Sequence, residues 1–407
     1  MGPSRTPHRV GSEGDPRFSF LERFRMTPMS NSPNKTAFPT FFSIVALGLP
    51  RAIRRGIPLR FWFLAATYRI VLGVFQPREI QFLATPTLQV YSAWLAKQKA
   101  KESKNANTAA LDRLHHDVEP LGTGADINHA AAAGDSGSIM WLGNRKKASK
   151  FVLFFHGGGY VAPLAPGHLT WCWECYVNGK PGDSNGDEVA VAVLQYTLCP
   201  GARYPTQLQQ AVAALNHLLR SGVTPENLII GGDSAGGNLT TQVLCHLLRP
   251  HPDVQPIRLS GPLAGTFLVS PFLTLRTDAV SYRTNHRVDM LSAAIVAKAG
   301  GYLFADDHVA KQATNPHEPL ALDGDMEWFG EIRTIAKSVY VTAGAQEVFC
   351  DDSRVFAEAV RRRNPGLDVQ LEVASTEVHD GILIESECET IGDASRRMRN
   401  WASKCLS

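Results

Sequence analysis

From about residue 137 onward, short unbroken apolar runs alternate with longer stretches in which apolar residues recur every three or four positions. The runs FVLFF (151–155), VAVAVLQY (189–196), NLIIGG (227–232), GTFLVS (265–270), SVYVTAG (338–344) and DVQLEVAS (368–375) predict strands. They are continuous rather than alternating, as expected of strands buried on both faces. YPTQLQQAVAALNHLLRSG (204–222) predicts an amphipathic helix ending at Gly222, and GNLTTQVLCHLLRP (237–250) a second, stopped by Pro250. Strands alternating with helices imply βαβ units and hence an α/β fold with a mostly parallel central sheet flanked by helices. The polar stretch at 177–188 reads as a surface loop. Residues 277–337 carry helical patterns without clear strand signals, and read as an insertion between two strands.

The first third of the chain is different. Residues 1–36 are rich in Pro, Ser, Arg and Asn and predict a disordered leader with no secretory apolar core. Met1-Gly2 with Thr6 fits a myristoylation pattern formally, though Pro3 makes a chance match the better reading. Residues 37–75 hold two apolar runs interrupted by Arg51, Arg54, Arg55, Arg60 and Arg69. Neither run reaches the roughly 18 to 20 apolar residues of a spanning helix. Three readings stay open for them: a packed helix pair capping a pocket, an interfacial anchor with arginines at the headgroups, or a membrane span. The organisation expected is therefore a leader (1–36), apolar and basic N-terminal helices (37–120), and a catalytic domain (121–407).

Composition narrows the function classes. The chain has 407 residues, 44% hydrophobic and 19% charged, in keeping with a globular protein with a sizeable core. A net charge of +3 with spread-out basic residues gives no case for nucleic acid. Seven cysteines without framework spacing favour a reducing, intracellular setting, cytoplasmic or at an internal membrane. Cys172 and Cys175 form a C-x-x-C with no second pair to complete a zinc site, and read as buried thiols. No metal or organic cofactor is called for.

The chemistry is concentrated in two glycine-rich stretches. Gly232-Asp233-Ser234-Ala235-Gly236 is Gly-x-Ser-x-Gly, placed directly between a predicted strand and a predicted helix. Such a turn forces its central serine into strained backbone angles and lifts the hydroxyl above the sheet. His156-Gly157-Gly158-Gly159-Tyr160 follows another predicted strand. Its glycines expose N–H groups, and those of Gly158 and Gly159, with that of Ala235, are candidates for an oxyanion hole. His156 reads as a brace of this loop and Asp233 as a structural neighbour of the serine turn.

Together HGGGY and GDSAGG resemble the hormone-sensitive-lipase-like branch of the α/β-hydrolase superfamily, over roughly residues 120–407. The resemblance implies a chain order of Ser, acid, His. Of the downstream histidines only His379 follows the last predicted strand, so it is the expected base. The family's Gly-x-x-Asp-x-Leu-x-Asp pattern falls on Gly344 to Asp351, which places Glu347 at the acid's position, with Asp351 or Asp352 as the fallback. Asp380 is set aside because sequence neighbours seldom face each other in a loop. His286, His308 and His317 are candidate pocket residues; the aromatics Trp62, Phe63, Trp171 and Trp173 would suit an apolar substrate, with buried core the default reading for such residues. The implied function is a serine carboxylic-ester hydrolase acting on a short-acyl ester, acetyl included, of a lipophilic alcohol or natural product. An acyltransferase or ring-closing enzyme with the same triad is the alternative, then a receptor on the same fold. The expected partner is a small-molecule ester, with peripheral membrane contact through 37–75 under the anchor reading.

Overall fold

A computed structural model describes residues 33–121, 137–178, 188–304 and 319–407, so residues 1–32 of the expected leader, His308, His317 and most of the 177–188 loop lie outside the described residues, while residues 33–36 open a helix instead. The chain builds one eight-stranded sheet in the order β1-β2-β4-β3-β5-β6-β7-β8. Its strands are β1 Val118–Pro120, β2 Ser138–Leu142, β3 Lys150–Phe155, β4 Val189–Gln195, β5 Leu228–Asp233, β6 Gly265–Val269, β7 Ser338–Gly344 and β8 Asp368–Ala374. The six expected strands are all present, and neighbours from β4 through β8 pair in parallel. β1 and β2, which the apolar pattern did not announce, pair antiparallel at one edge. β1 is three residues long, and SIMWL in β2 is too short to show a period.

The central strands are buried on both faces: every residue of β5 is buried, with Val152 to Phe155 of β3 and Ala190 to Leu194 of β4. The two predicted helices run over Thr206–Arg220 and Ala235–Leu248. Between β6 and β7 the described chain forms helices Val280–Asn285 and Ala293–Leu303 and a 3₁₀ segment Glu327–Thr334, as the insertion reading anticipates.

At the N-terminus, α1 (Pro33–Arg54) and α2 (Leu59–Val74) form a hairpin. Gly48 permits their close approach: a Cβ there would meet the indole of Trp62 and the Arg287 carbonyl. Trp62, Ala65 and Ala66 on α2 are buried. Arg55 and Arg69 are bound within the protein. Arg55 donates to Asn285 Oδ1 and Gln346 Oε1, each at 2.8 Å, and Arg69 to the carbonyls of Asp289 (2.8 Å) and Leu291 (3.2 Å). These two arginines brace the insertion and the loop after β7, and are therefore not headgroup ligands. No helix of the described residues is long and apolar enough to cross a membrane.

Candidate active site

Parallel strands deliver their C-terminal loops to one edge of the sheet, where α/β sites form. The register sets Phe155 opposite Gly232, so the loop after β3 and the turn after β5 leave the sheet side by side. Ser234 sits at the turn with φ +49°, ψ −112°. This strain is held by its neighbours: Ser234 N donates to the Val269 carbonyl at 2.8 Å, and its own carbonyl accepts from Phe272 N and Asn238 N at 3.0 Å. Small residues are obligatory here, because a Cβ at Gly232 or Gly236 would run into the Phe155 carbonyl oxygen.

His379 Nε2 lies 2.9 Å from Ser234 Oγ, and His379 Nδ1 lies 3.3 Å from Glu347 Oε2. The structure thus brings together the three residues that the sequence pattern singled out, and all three are buried. The fallback acids face elsewhere: Asp351 accepts the backbone N–H of Ser281 at 2.8 Å, and Asp352 has Asp351, Arg276 and Asp323 as its charged neighbours. Burial pushes the His379 imidazole down to about 4, with the charges of Asp289 and Asp233 opposing, so the resting base is neutral at pH 7. Burial pushes the Glu347 carboxyl up, with the Ser270 hydroxyl opposing.

The HGGG loop is held from below. Gly157 N donates to Asp233 Oδ1 at 3.0 Å, and Asp233 Oδ2 lies 3.1 Å from His168 Nε2. Burial pulls His168 down, but the charge and hydrogen bond of Asp233, the Glu387 charge and the hydrogen bond with Ala165 together leave the imidazole above its ordinary value. His156 stacks on Tyr196 at 4.4 Å, and burial lowers it to about 4, as suits a brace rather than a proton carrier. Gly158 and Gly159 take φ +102° and +60°, the left-handed region where glycine is at ease. Together with Ser234, Ala235 and His379 they line one end of a cavity of about 940 Å³, counting its solvent-open part. The rest of its wall is largely apolar: Leu72 and Phe75 come from the N-terminal region, Leu291, Ile295 and Val296 from the insertion, and Phe272 from the β6 loop.

Trp62, Trp171 and Trp173 are buried core, the default reading for them, with Trp62 packed under Gly48, while Phe63 is exposed; none of the four lines this cavity. Ring size alone could not separate core from pocket. Other expectations need correction. His286 hydrogen-bonds to carbonyls of its own helix and is not a wall residue. Asp380, set aside on the sequence, does face its neighbour: it adopts φ +54°, and its Oδ2 lies 3.3 Å from His379 Nε2. Asp289 was missed altogether. Its Oδ2 accepts from Val348 N at 2.8 Å, and its Oδ1 from His379 N at 3.0 Å. No motif marks it, since its role exists only once the insertion folds back on the site. Cys172 and Cys175 are buried free thiols, as expected. Among the described residues no cluster of His, Cys, Asp and Glu could hold a metal ion.

Comparison with known proteins places this geometry in a family. A family model described as an alpha/beta hydrolase fold matches residues 152–383, over half of the chain. An acetyl-hydrolase of Streptomyces hygroscopicus is 27% identical over 246 residues, 59% of this chain and 69% of that protein. An arylacetamide deacetylase of Oryctolagus cuniculus is 34% identical over 184 residues, 43% of each chain. Among solved structures, carboxyl esterase 2 from Tuber melanosporum superposes with a TM-score of 0.55 at 18% identity, covering 72% of this chain and 86% of its own, a likeness of fold.

Proposed function

Because the chain belongs to the α/β-hydrolase fold family, we propose that it cleaves esters through an acyl-enzyme on Ser234, with His379 as base and Glu347 as triad acid. The chain is a carboxylic-ester hydrolase, in keeping with the esterase and acetyl-hydrolase it resembles. A serine hydroxyl is a poor nucleophile until a base takes its proton. His379 Nε2 accepts that proton as Oγ attacks the ester carbonyl, and returns it to the leaving alcohol as the tetrahedral intermediate collapses. Water then attacks the acyl-enzyme with the same base, releasing the acid and restoring Ser234. Glu347 fixes the tautomer with the proton on Nδ1 and stabilises the transient imidazolium. The N–H groups of Gly158, Gly159 and Ala235 receive the oxyanion, each supplying about 3 kcal/mol of barrier reduction.

For the substrate, the reading is a short-acyl ester, acetyl first, of a lipophilic alcohol. The apolar cavity wall and the acetyl-removing names of the two relatives support it. The observation that carries the whole proposal is the 2.9 Å contact between Ser234 Oγ and His379 Nε2. A panel of p-nitrophenyl esters of rising acyl length tests it, wild type against Ser234→Ala. Turnover should be highest on short acyl groups and fall at least about 10³-fold in the variant. Hydrolysis that survives the substitution overturns the mechanism, and a wild type that binds esters without turnover would be a receptor. Adding a competing alcohol or amine and finding it acylated would move the assignment to acyl transfer.

A further inference from the structure

Exposed apolar surface is concentrated on one part of the molecule. Among the described residues ten large apolar side chains are exposed, and six of them fall within 41–63: Phe41, Phe42, Leu47, Ile53, Leu59 and Phe63. Phe42 is 65% exposed and Ile53 59%. Single exposed apolar residues are ordinary, but six on one helical hairpin point to a surface that something covers. On α2, Leu59, Phe63 and Thr67 stand one turn apart and are exposed, while Tyr68 and Leu72 on the opposite side line the cavity. A helix that is apolar on all sides belongs in a core or against lipid.

Charge identifies the cover. Residues 37–78 contain Arg51, Arg54, Arg55, Arg60, Arg69 and Arg78 and no Asp or Glu. With Arg55 and Arg69 bound internally, Arg51, Arg54 and Arg60 remain beside the apolar cluster, Arg54 and Arg60 exposed and Arg51 half-buried. A basic rim on an apolar face complements anionic lipid, where the rings reach the acyl boundary and the guanidinium groups meet phosphates. A second copy of the same face would set arginines against arginines.

We propose that the outer face of α1 and α2 docks on an anionic membrane surface, with Phe41, Phe42, Ile53, Leu59 and Phe63 entering the acyl boundary and Arg51, Arg54 and Arg60 on the headgroups. In this proposal α1 and α2 lie on the bilayer, and no helix of the described residues is long and apolar enough to cross it. In that pose α2 alone, about 10 Å across, separates lipid from the cavity wall. The proposal does not depend on the ester-cleavage reading.

Co-sedimentation of the full chain with phosphatidylcholine vesicles, with and without phosphatidylserine, tests it. The wild type should sediment with the phosphatidylserine vesicles, less with phosphatidylcholine alone, and be released by high salt. Arg51→Gln, Arg54→Gln and Arg60→Gln combined should weaken binding about a hundredfold, at about fivefold per arginine. Phe42→Asp with Phe63→Asp should abolish it. Circular dichroism melting checks that the variants fold, and the arginine set decides if the aspartate pair does not. Failure to sediment with either vesicle overturns the proposal, as does equal binding by wild type and variants. So does a wild-type dimer in light scattering that the aspartate pair splits without any vesicle binding.

Discussion

The carboxylate of Asp289 holds the main chain of His379, whose N–H donates to Oδ1 at 3.0 Å, while Oδ2 accepts from Val348 next to Glu347. One side chain from the insertion thus ties the loop carrying His379 to the loop carrying Glu347. Asp289 Oδ1 also accepts from Met290 N at 2.8 Å, so the substitution Asp289→Asn would turn an amide N–H₂ toward at least one of three backbone donors, leaving a buried donor unsatisfied at about 1–3 kcal/mol. It should lower kcat on p-nitrophenyl acetate about tenfold to a hundredfold and leave KM within about twofold. A fall in KM and kcat together, or in the folded fraction alone, would reduce Asp289 to a structural role.

The pH dependence follows from the buried imidazole. In the proposed mechanism His379 must be neutral to take the Ser234 proton, and burial lowers its pKa from the ordinary 6.5 to about 4. As pH falls through that value the imidazole binds a proton and the base is lost, so kcat/KM should drop on the acid side. The acid limb of the kcat/KM profile, which reports the free enzyme, should have its midpoint near about 4. A midpoint near 6.5 would mean that the surrounding carboxylates, Asp289 and Asp233 first, balance desolvation at this site, and one above 6.5 that they outweigh it.

What could be read from the sequence divides along physical lines. Strands β3 to β8 were legible because strands buried on both faces are continuous apolar runs, and the loops after β3 and β5 because close backbone approach demands glycine at Gly232 and Gly236. Asp289 and Asp380 were not legible. Asp289 joins loops about 60 and 90 positions away in the chain, and Asp380 faces the imidazole only because it adopts φ +54°, which no residue pattern encodes. The Arg55 contacts to Asn285 and Gln346 were hidden for the same reason: an arginine between apolar runs looks alike whether it meets water, phosphate or a distant loop.

The serine turn makes a stability prediction. A methyl group at Gly236 would meet the Phe155 carbonyl and the His156 main chain, and neither is a flexible side-chain end that can swing away. Overpacking a rigid site costs about 1–3 kcal/mol, and here the backbone of β3 itself must shift. Gly236→Ala should lower the melting temperature by several degrees and abolish activity even in the fraction that folds. Gly261→Ala is the control: a Cβ there meets nothing within 4 Å, and the melting temperature should stay at the wild-type value.

Glu347 stands where the family pattern has aspartate, and its carboxylate Oε2, carried on one more methylene, lies 3.3 Å from His379 Nδ1 in a fully buried position. Glu347→Gln keeps the shape but removes the charge that supports the imidazolium, and its amide can donate where an acceptor is needed. Loss of a triad carboxylate of this kind lowers kcat about 10⁴-fold. Glu347→Asp keeps the charge and withdraws it from the ring, so an intermediate loss is expected, with KM unchanged. The pair is diagnostic when read with Asp351→Asn and Asp352→Asn, which should each stay within about tenfold of the wild type. If either aspartate variant instead shows the larger loss, the acid has been misassigned, and the 3.3 Å contact is packing alone.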